Sequence, residues 1–147
     1  GKKLKDLMRL AARRDVPVLV HGSEPVGHDY AGKGDTDPAT LLGLAEAFPK
    51  NRLIFAHWGG GLPFYALMPE VRKALANTYF DTAASPFLYQ QSVFRTVANA
   101  AGMERVLFGS DYPLLRPKRV AEQAMSGLTS KQAAEVLGGN AKTLLGL

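Results

Sequence analysis

Four short apolar runs, each followed at once by a polar residue or a glycine, recur along this 147-residue chain. They occupy residues 18–20, 53–56, 79–80 and 105–108, and the last of them begins with Arg105. Short β-branched and aliphatic runs bounded by turn residues are typical of the buried strands of a parallel sheet. The segments between them are long enough to form helices in right-handed crossovers. The pattern therefore predicts an α/β fold built from four consecutive strand–helix (βα) units.

Successive runs begin 26 or 35 residues apart, which is close to the length of one unit of a closed TIM (β/α)8 barrel. Such a barrel has eight units and about 250 residues, whereas this chain has four units in one domain, residues 1–147. The spacing predicts half a barrel with parallel strands. Because an open half exposes strand edges and an apolar inner face, we expect either a piece of a longer protein or a homo-oligomer in which two copies close a barrel-like assembly.

Helix signals fill the intervals between the predicted strands. Apolar residues at positions 4, 7, 8 and 11 predict an amphipathic helix that begins near residue 3 and ends near residue 14. Asp37, which is followed by a proline, predicts the start of a second helix. Apolar residues four positions apart predict another helix over residues 63–76. Thr129 and Gln132 have the spacing of a capping box at a helix start.

The charge and composition of the chain bear on its partners. Six of its eighteen Lys and Arg residues lie in the first fourteen positions, without interleaved aromatic residues. On a helix they form a solvated face, so we expect no nucleic-acid partner. No stretch approaches the roughly 18 apolar residues of a membrane span, so we expect no membrane partner and a cytoplasmic location. The absence of cysteine leaves nitrogen and oxygen atoms as metal ligands.

A titratable side chain follows each of the four predicted strands. His21, His57, Asp81 and Asp111 occupy these positions, and the carboxyl ends of parallel strands meet at one edge of a sheet. Two imidazoles and a carboxylate can bind a divalent ion with a position left for water, and the same groups suit acid–base catalysis. The alternative is that these residues are hydrogen-bonded parts of strand-to-helix turns. Spacing alone leaves both interpretations open, because no H-x-H or H-E-x-x-H pair is present.

Other polar and aromatic residues near these strand ends have two interpretations each. The long polar segment 23–36 has no helical or alternating period, and its side chains either contact an anionic substrate or form a solvated loop. The residues in question are Glu24, His28, Tyr30 and Lys33. Trp58 and Tyr112 either stack on a substrate ring or fill the core. Arg116 is a candidate partner for a substrate carboxylate, and Asp81 has a structural interpretation as well as a catalytic one.

Five segments carry a resemblance to a known family. They are PVLVHGSEP (17–25), FPKNRLIFAHWGGG (48–61), TYFDTAASP (78–86), RVLFGSDYPL (105–114) and LGGNAKTLLGL (137–147). In order and spacing they resemble the second half of the amidohydrolase-related family of TIM-barrel metal hydrolases. The resemblance is to the branch with aminocarboxymuconate-semialdehyde decarboxylase, aromatic-acid decarboxylases and lactone hydrolases. It implies a metal-dependent hydrolase or decarboxylase that acts on a small, carboxylated or cyclic substrate through a metal-activated water.

The resemblance also implies roles for individual residues. His21 matches a metal-ligand histidine, and His57 matches a histidine that activates the metal-bound water or ligates a metal. Asp111 matches an aspartate that is a metal ligand or a proton-transfer group. The implied cofactor is a divalent metal, most simply zinc. The chain lacks the family's first-strand His-x-His pair, so association with a missing amino-terminal half is expected, and a non-catalytic α/β fragment or oligomerisation module is the alternative function.

Overall fold

Four parallel strands form one sheet in a computed structural model that describes residues 1–147. The strands are β1 (Val18–Val20), β2 (Leu53–Phe55), β3 (Thr78–Asp81) and β4 (Val106–Leu107). They lie in the order β1-β2-β3-β4, so each strand pairs with the next one along the chain. Leu19 is in register with Ile54, and Ile54 with Tyr79. The prediction of four consecutive parallel βα units is confirmed.

Helices occupy the intervals between the strands and the carboxyl-terminal part of the chain. They are α1 (Lys2–Arg14), α2 (Pro38–Ala47), α3 (Pro69–Ala74), α4 (Ser85–Leu88), α5 (Val93–Ala101), α6 (Pro117–Gly127), α7 (Ser130–Ala134) and α8 (Asn140–Leu145). A segment of tight turns, left-handed over its first five residues, covers His57–Leu67. A 3-10 turn covers Met103–Arg105, and a wider π turn covers Glu135–Gly139. None of the helices combines the length and apolar character that crossing a membrane requires.

Two helix starts have the predicted caps. The Asp37 side chain accepts a hydrogen bond from the Thr40 N–H at 2.8 Å, and α2 follows it. Thr129 and Gln132 form the predicted capping box in front of α7. In both cases a side-chain oxygen satisfies an N–H that has no partner within the helix.

The predicted helix over residues 63–76 is wrong in its first half. The chain there continues the 3-10 segment His57–Leu67, and a regular helix begins only at Pro69. Met68 is extended, with φ −84° and ψ 121°. A residue before proline is pushed out of the helical region by the proline ring, while proline itself suits the first position of a helix. Pro69 therefore divides a segment whose apolar periodicity is continuous.

The two faces of the sheet differ in burial. Leu53, Phe55 and Phe80 are fully buried in the core that the helices form with the sheet. On the opposite face Leu19 is 62% exposed, and its register neighbours Ile54 and Tyr79 are only half-buried. The strands β1 and β4 are the two edges of the sheet. The sheet is therefore covered by helices on one side and open on the other, as expected of half a barrel.

Arginine side chains tie helix ends to the sheet at the end opposite the strand carboxyl termini. Arg52, just before β2, donates to the carbonyl groups of Asp15 and Leu144. Arg105, just before β4, donates to the carbonyl groups of Leu75 and Thr78, each at 3.1 Å. The carbonyls of Asp15, Leu75 and Leu144 lie at helix ends and lack intrahelical partners, so the guanidinium groups satisfy them and fix the helices to the strands.

Candidate active site

A cavity of about 440 Å³ lies at the carboxyl ends of the strands. Three of the residues selected from the sequence, His21, His57 and Asp111, line it together, with His28 and Tyr30 from the long loop. The other lining residues are small or apolar: Ala31, Gly32, Ala84, Phe87, Leu88 and Leu114. Its volume falls within the roughly 300–1,000 Å³ of small-molecule sites. The predicted convergence is therefore present for three of the four strand-end residues; the fourth, Asp81, does not line the cavity.

The His21 ring follows β1 and lies next to the His57 ring, with 4.9 Å between the ring centroids and an edge-to-face orientation. His21 Nε2 is 3.1 Å from Ser23 Oγ, and the same oxygen accepts a hydrogen bond from the Gly34 N–H at 3.0 Å. Ser23 is buried. A buried hydroxyl group thus orients the His21 ring and connects it to the long loop.

Two contacts hold His57 in place, one from its backbone and one from its ring. The backbone N–H donates to Asp81 Oδ1 at 2.9 Å, and the ring atom Nδ1 lies 3.1 Å from the Ala83 carbonyl oxygen. A carbonyl oxygen can only accept, so Nδ1 carries the proton and Nε2 of the neutral ring has the free lone pair. This arrangement of a histidine with a second hydrogen bond is typical of metal ligands and of general bases.

The backbone after β2 makes an unusual left-handed turn. The five residues from His57 to Gly61 all have positive φ values, and Trp58 packs edge-to-face on Phe94 in the core. A Cβ atom on Gly60 would lie 2.3 Å from the Ser23 carbonyl oxygen. The glycines thus permit the sharp turn, and the close approach at Gly60 is to the backbone that carries Ser23.

Asp81 and Asp111 have different environments although both follow strands. Asp81 is buried, and its Oδ1 accepts hydrogen bonds from the N–H groups of His57 and Ala83, each at 2.9 Å. Burial raises the pKa of Asp81, and those two N–H groups oppose the increase. Asp111 is exposed, lines the cavity and has a φ of 63°. Asp81 therefore has the structural role among its two interpretations, whereas Asp111 is accessible to a ligand.

A family model described as Amidohydrolase matches residues 2–147. The chain belongs to the amidohydrolase family. A curated relative, 6-methylsalicylic acid decarboxylase of Penicillium expansum, is 28% identical over 69% of this chain and 40% of its own length. The dihydroxybenzoic acid decarboxylase of Polaromonas sp., solved with bound manganese and the inhibitor 2-nitroresorcinol, has a TM-score of 0.72 at 19% identity and matches 95% of this chain. An amidohydrolase of Burkholderia multivorans with bound zinc has a TM-score of 0.65 at 17% identity and also matches 95% of this chain.

The amidohydrolase chain spans only part of these proteins. It covers 40% of the Penicillium relative, 52% of the Polaromonas chain and 56% of the Burkholderia chain. The structural likeness, at identities under 25%, shows the fold. Together with the four parallel strands in chain order, it confirms the predicted partial barrel.

The donor groups of this amidohydrolase chain suit a divalent metal in kind. Imidazole nitrogen and carboxylate oxygen are ligands of zinc and manganese, and both histidine rings have a second hydrogen-bond partner. No three His, Asp or Glu side chains of the chain are grouped closely enough to hold an ion. The assignment of His21, His57 and Asp111 as ligands therefore stays a prediction, in which the chain contributes part of a ligand set.

The structure distinguishes between the interpretations of the remaining candidate residues. Trp58 is completely buried and fills the core, so the substrate-stacking interpretation is wrong. Tyr112 is 72% exposed, and neither it nor Arg116 lines the cavity. Lys33 donates to the carbonyl groups of Val26 and His28, each at 3.2 Å, and so holds the loop together.

The long loop places His28 and Tyr30 at the cavity. Tyr30 donates to Glu24 Oε2 at 3.0 Å, and burial together with the Glu24 carboxylate raises the pKa of Tyr30 to about 12. The loop is thus a structured wall of the site, as the functional interpretation of segment 23–36 requires. Sequence reasoning missed Ser23 and Ala83, which orient the two histidines. The only sequence feature that could have identified them is their position two residues after the strand-end residues His21 and Asp81.

Proposed function

We propose that this chain forms the carboxyl-terminal half of a metal-dependent barrel enzyme that decarboxylates a small aromatic acid. The single observation that carries the proposal is that His21, His57 and Asp111 line one cavity at the strand carboxyl ends. The Penicillium relative and the Polaromonas structure are both named as decarboxylases of aromatic acids, which supports decarboxylation over hydrolysis. Hydrolysis of a cyclic or carboxylated substrate stays the second candidate, because the Burkholderia structure is named as an amidohydrolase.

The apolar walls of the cavity suit an aromatic ring. Phe87, Leu88 and Leu114 line it beside the titratable groups, and aromatic and aliphatic side chains hold a planar ring through apolar contact. The combination favours a substrate with an apolar body and a polar end over a fully polar one.

In the proposed site, His21 and Asp111 would hold a divalent ion together with ligands from outside this chain. His57 would be a further ligand only in place of its proton-transfer role, because both roles use Nε2. When bound, such an ion stabilises negative charge on substrate oxygens or lowers the pKa of a water molecule. We favour zinc on the basis of the imidazole donors; manganese in the Polaromonas structure makes it the competing ion.

The proton-transfer role belongs to His57. Its Nδ1–H is held by the Ala83 carbonyl, so Nε2 is the atom that exchanges a proton. In a decarboxylation the bond between the ring carbon and the carboxyl group breaks, carbon dioxide leaves, and the ring carbon takes up a proton. Protonated Nε2 supplies that proton. In a hydrolysis the same atom accepts the proton of the attacking water.

We further propose that a second half-barrel covers the open face of the sheet, either from the same protein or from a second copy of this chain. The exposed Leu19 and the two free edge strands support this proposal. A cytoplasmic location stays a prediction. The rival function, a non-catalytic oligomerisation module, differs in one respect: it predicts no metal retention that depends on His21.

The test uses the purified protein that contains this chain, stripped of metal and reloaded with zinc or with manganese. Carbon dioxide release is measured on a panel of hydroxylated benzoic acids, and metal content is measured in wild type and His21→Ala. We expect His57→Asn and Asp111→Asn to lower kcat by several orders of magnitude, and Asp6→Asn on the exposed face of α1 to have no effect. Wild-type turnover in either site variant, or equal metal content in His21→Ala, would remove that residue from the mechanism.

A further inference from the structure

The segment 81–85, which begins with the last residue of β3, contacts the left-handed turn at three points. Asp81 Oδ1 accepts from the His57 N–H at 2.9 Å, and the Ala83 carbonyl accepts from His57 Nδ1 at 3.1 Å. Ser85 Oγ accepts from Trp58 Nε1 at 2.9 Å. Both non-glycine residues with positive φ in this turn are therefore held by the end of the neighbouring strand.

The turn needs such contacts because its conformation is unfavourable for those residues. His57 and Trp58 have φ values of 55° and 56°, where the Cβ atom of an L-residue lies too close to the backbone. Such conformations persist where the surrounding structure imposes them. The ring of Trp58 is fully buried against Phe94, which anchors the turn on one side and leaves the ring of His57 at the cavity.

The segment 81–85 is itself fixed to β4 and to the residues that follow it. Thr82 Oγ1 donates to the Gly109 carbonyl at 2.9 Å and accepts from the Gly109 N–H at 3.0 Å. The Thr82 N–H donates to the Leu107 carbonyl at 3.1 Å. The segment is thus tied to Leu107 at the end of β4 and to Gly109, two residues before Asp111, and does not depend on His57 for its own position.

We propose that Asp81 is a positioning residue for His57. One oxygen, Oδ1, accepts the N–H groups of His57 and of Ala83 at the same time. It thereby fixes the backbone of His57 and the residue whose carbonyl keeps the imidazole proton on Nδ1. Asp81 does not line the cavity, so it acts through His57. The inference rests on the proposed function only in assigning proton transfer to Nε2.

The direct test reads the tautomer of His57 without any activity. The chain has three histidines, so two-dimensional ¹H–¹⁵N spectra of the ¹⁵N-histidine-labelled protein at about pH 8.5, above the ordinary imidazole pKa, can resolve each ring. In wild type we expect His57 with the proton on Nδ1. In Asp81→Ala we expect a shift toward the Nε2–H form that a free imidazole favours. Asp81→Asn keeps an acceptor oxygen and should keep the wild-type tautomer.

Asp37→Ala is the matched control, because Asp37 also accepts a backbone N–H but lies outside the cavity. It should lower the melting temperature and leave the His57 signals unchanged. If Asp81→Ala does not fold, Asp81→Leu serves instead, since it fills the site of the carboxylate and also removes the oxygen that accepts from His57 and Ala83. An unchanged His57 tautomer in the folded Asp81→Ala or, in its place, in Asp81→Leu overturns the proposal, as does Asp81→Asn shifting the tautomer as far as the variant without an acceptor.

Turnover provides the second measurement. Misplacement of a catalytic group by about 1 Å costs roughly 10²-fold in rate, so Asp81→Ala should lower kcat by about that factor with little change in KM, and Asp81→Asn should recover most of it. A shifted tautomer together with wild-type kcat would leave Asp81 as the positioning residue and refute the proton-transfer role of His57. A loss of kcat with an unchanged tautomer would refute the positioning role alone.

Discussion

Replacement of Gly60 by alanine tests the close approach between the left-handed turn and the backbone after β1. An added Cβ would lie 2.3 Å from the carbonyl oxygen and 2.7 Å from the carbonyl carbon of Ser23, and Gly60 has a φ of 61°. The contact is with backbone atoms, so no side-chain rotation relieves it. Either the turn or the segment that carries Ser23 must move.

The expected cost has two parts. A left-handed conformation costs a non-glycine residue about 1–2 kcal/mol, and forcing an extra methyl group into a filled site costs about 1–3 kcal/mol. Together they predict a loss of about 2–5 kcal/mol in the free energy of unfolding for Gly60→Ala. Gly43 in α2 is the matched control, because a Cβ there meets no atom within 4 Å. Gly43→Ala should stabilise the chain by about 0.5–1 kcal/mol through helix propensity.

The assay is urea unfolding of both variants and of wild type. Circular dichroism follows the backbone, and fluorescence follows Trp58, the single tryptophan, which lies in the turn itself. Displacement of Ser23 should also alter the NMR signals of His21, whose Nε2 lies 3.1 Å from Ser23 Oγ. A loss below about 1 kcal/mol in Gly60→Ala, with Gly43→Ala stabilising as expected, would refute the backbone contact.

Three further predictions concern the helix ends and the open sheet. The Thr40 N–H lowers the pKa of Asp37 below its ordinary value of 3.8. The cap therefore stabilises α2 above pH 3.8, and this stabilisation is lost as the pH falls through the lower pKa of the folded state. The melting temperatures of Asp37→Ala and wild type should differ at pH 7 and converge below pH 3.8. Arg52→Met should lower the free energy of unfolding by about 1–3 kcal/mol in a urea titration, because the Asp15 and Leu144 carbonyls lose a charged donor. Arg52→Lys should not restore the lost stability in the same titration, since an ammonium group lacks the planar, forked donor geometry of a guanidinium group. Light scattering of the isolated chain at high concentration should show association; a monodisperse folded monomer would contradict a need for a second half.

The sequence was sufficient for the order of the strands and for the grouping of His21, His57 and Asp111 around one cavity. Both follow from regular rules: apolar runs at intervals of 26 or 35 residues predict parallel strands, and parallel strands place their last residues at one edge. Local caps such as the Asp37 side chain were also predictable, because donor and acceptor are three residues apart. Periodicity failed at Pro69, where the ring of one residue ends a pattern that the apolar side chains continue.

The contacts that orient the site could not be predicted, because they join residues far apart in the chain. Asp81 Oδ1 and the Ala83 carbonyl are 24 and 26 positions from His57. Their pairing depends on the register between β2 and β3 and on the left-handed turn that brings His57 back over β3. A spacing rule contains neither quantity. The choice between a structural and a catalytic aspartate, which the sequence left open for Asp81, was decided by burial and by the donors around one oxygen.

The open face of the sheet and the candidate site are related by strand geometry. Side chains alternate between the two faces of a strand, so Tyr79 and Asp81 share a face, and His21 continues the face of Leu19. The Leu19 side chain, which is 62% exposed, therefore lies on the same side of the sheet as the side chains of His21 and Asp81. A half-barrel that covered this apolar face would also place its own strand ends opposite His21 and Asp111. One partner surface would thus bury the open sheet and add side chains to the cavity, so stability and metal affinity should rise together when that partner is present.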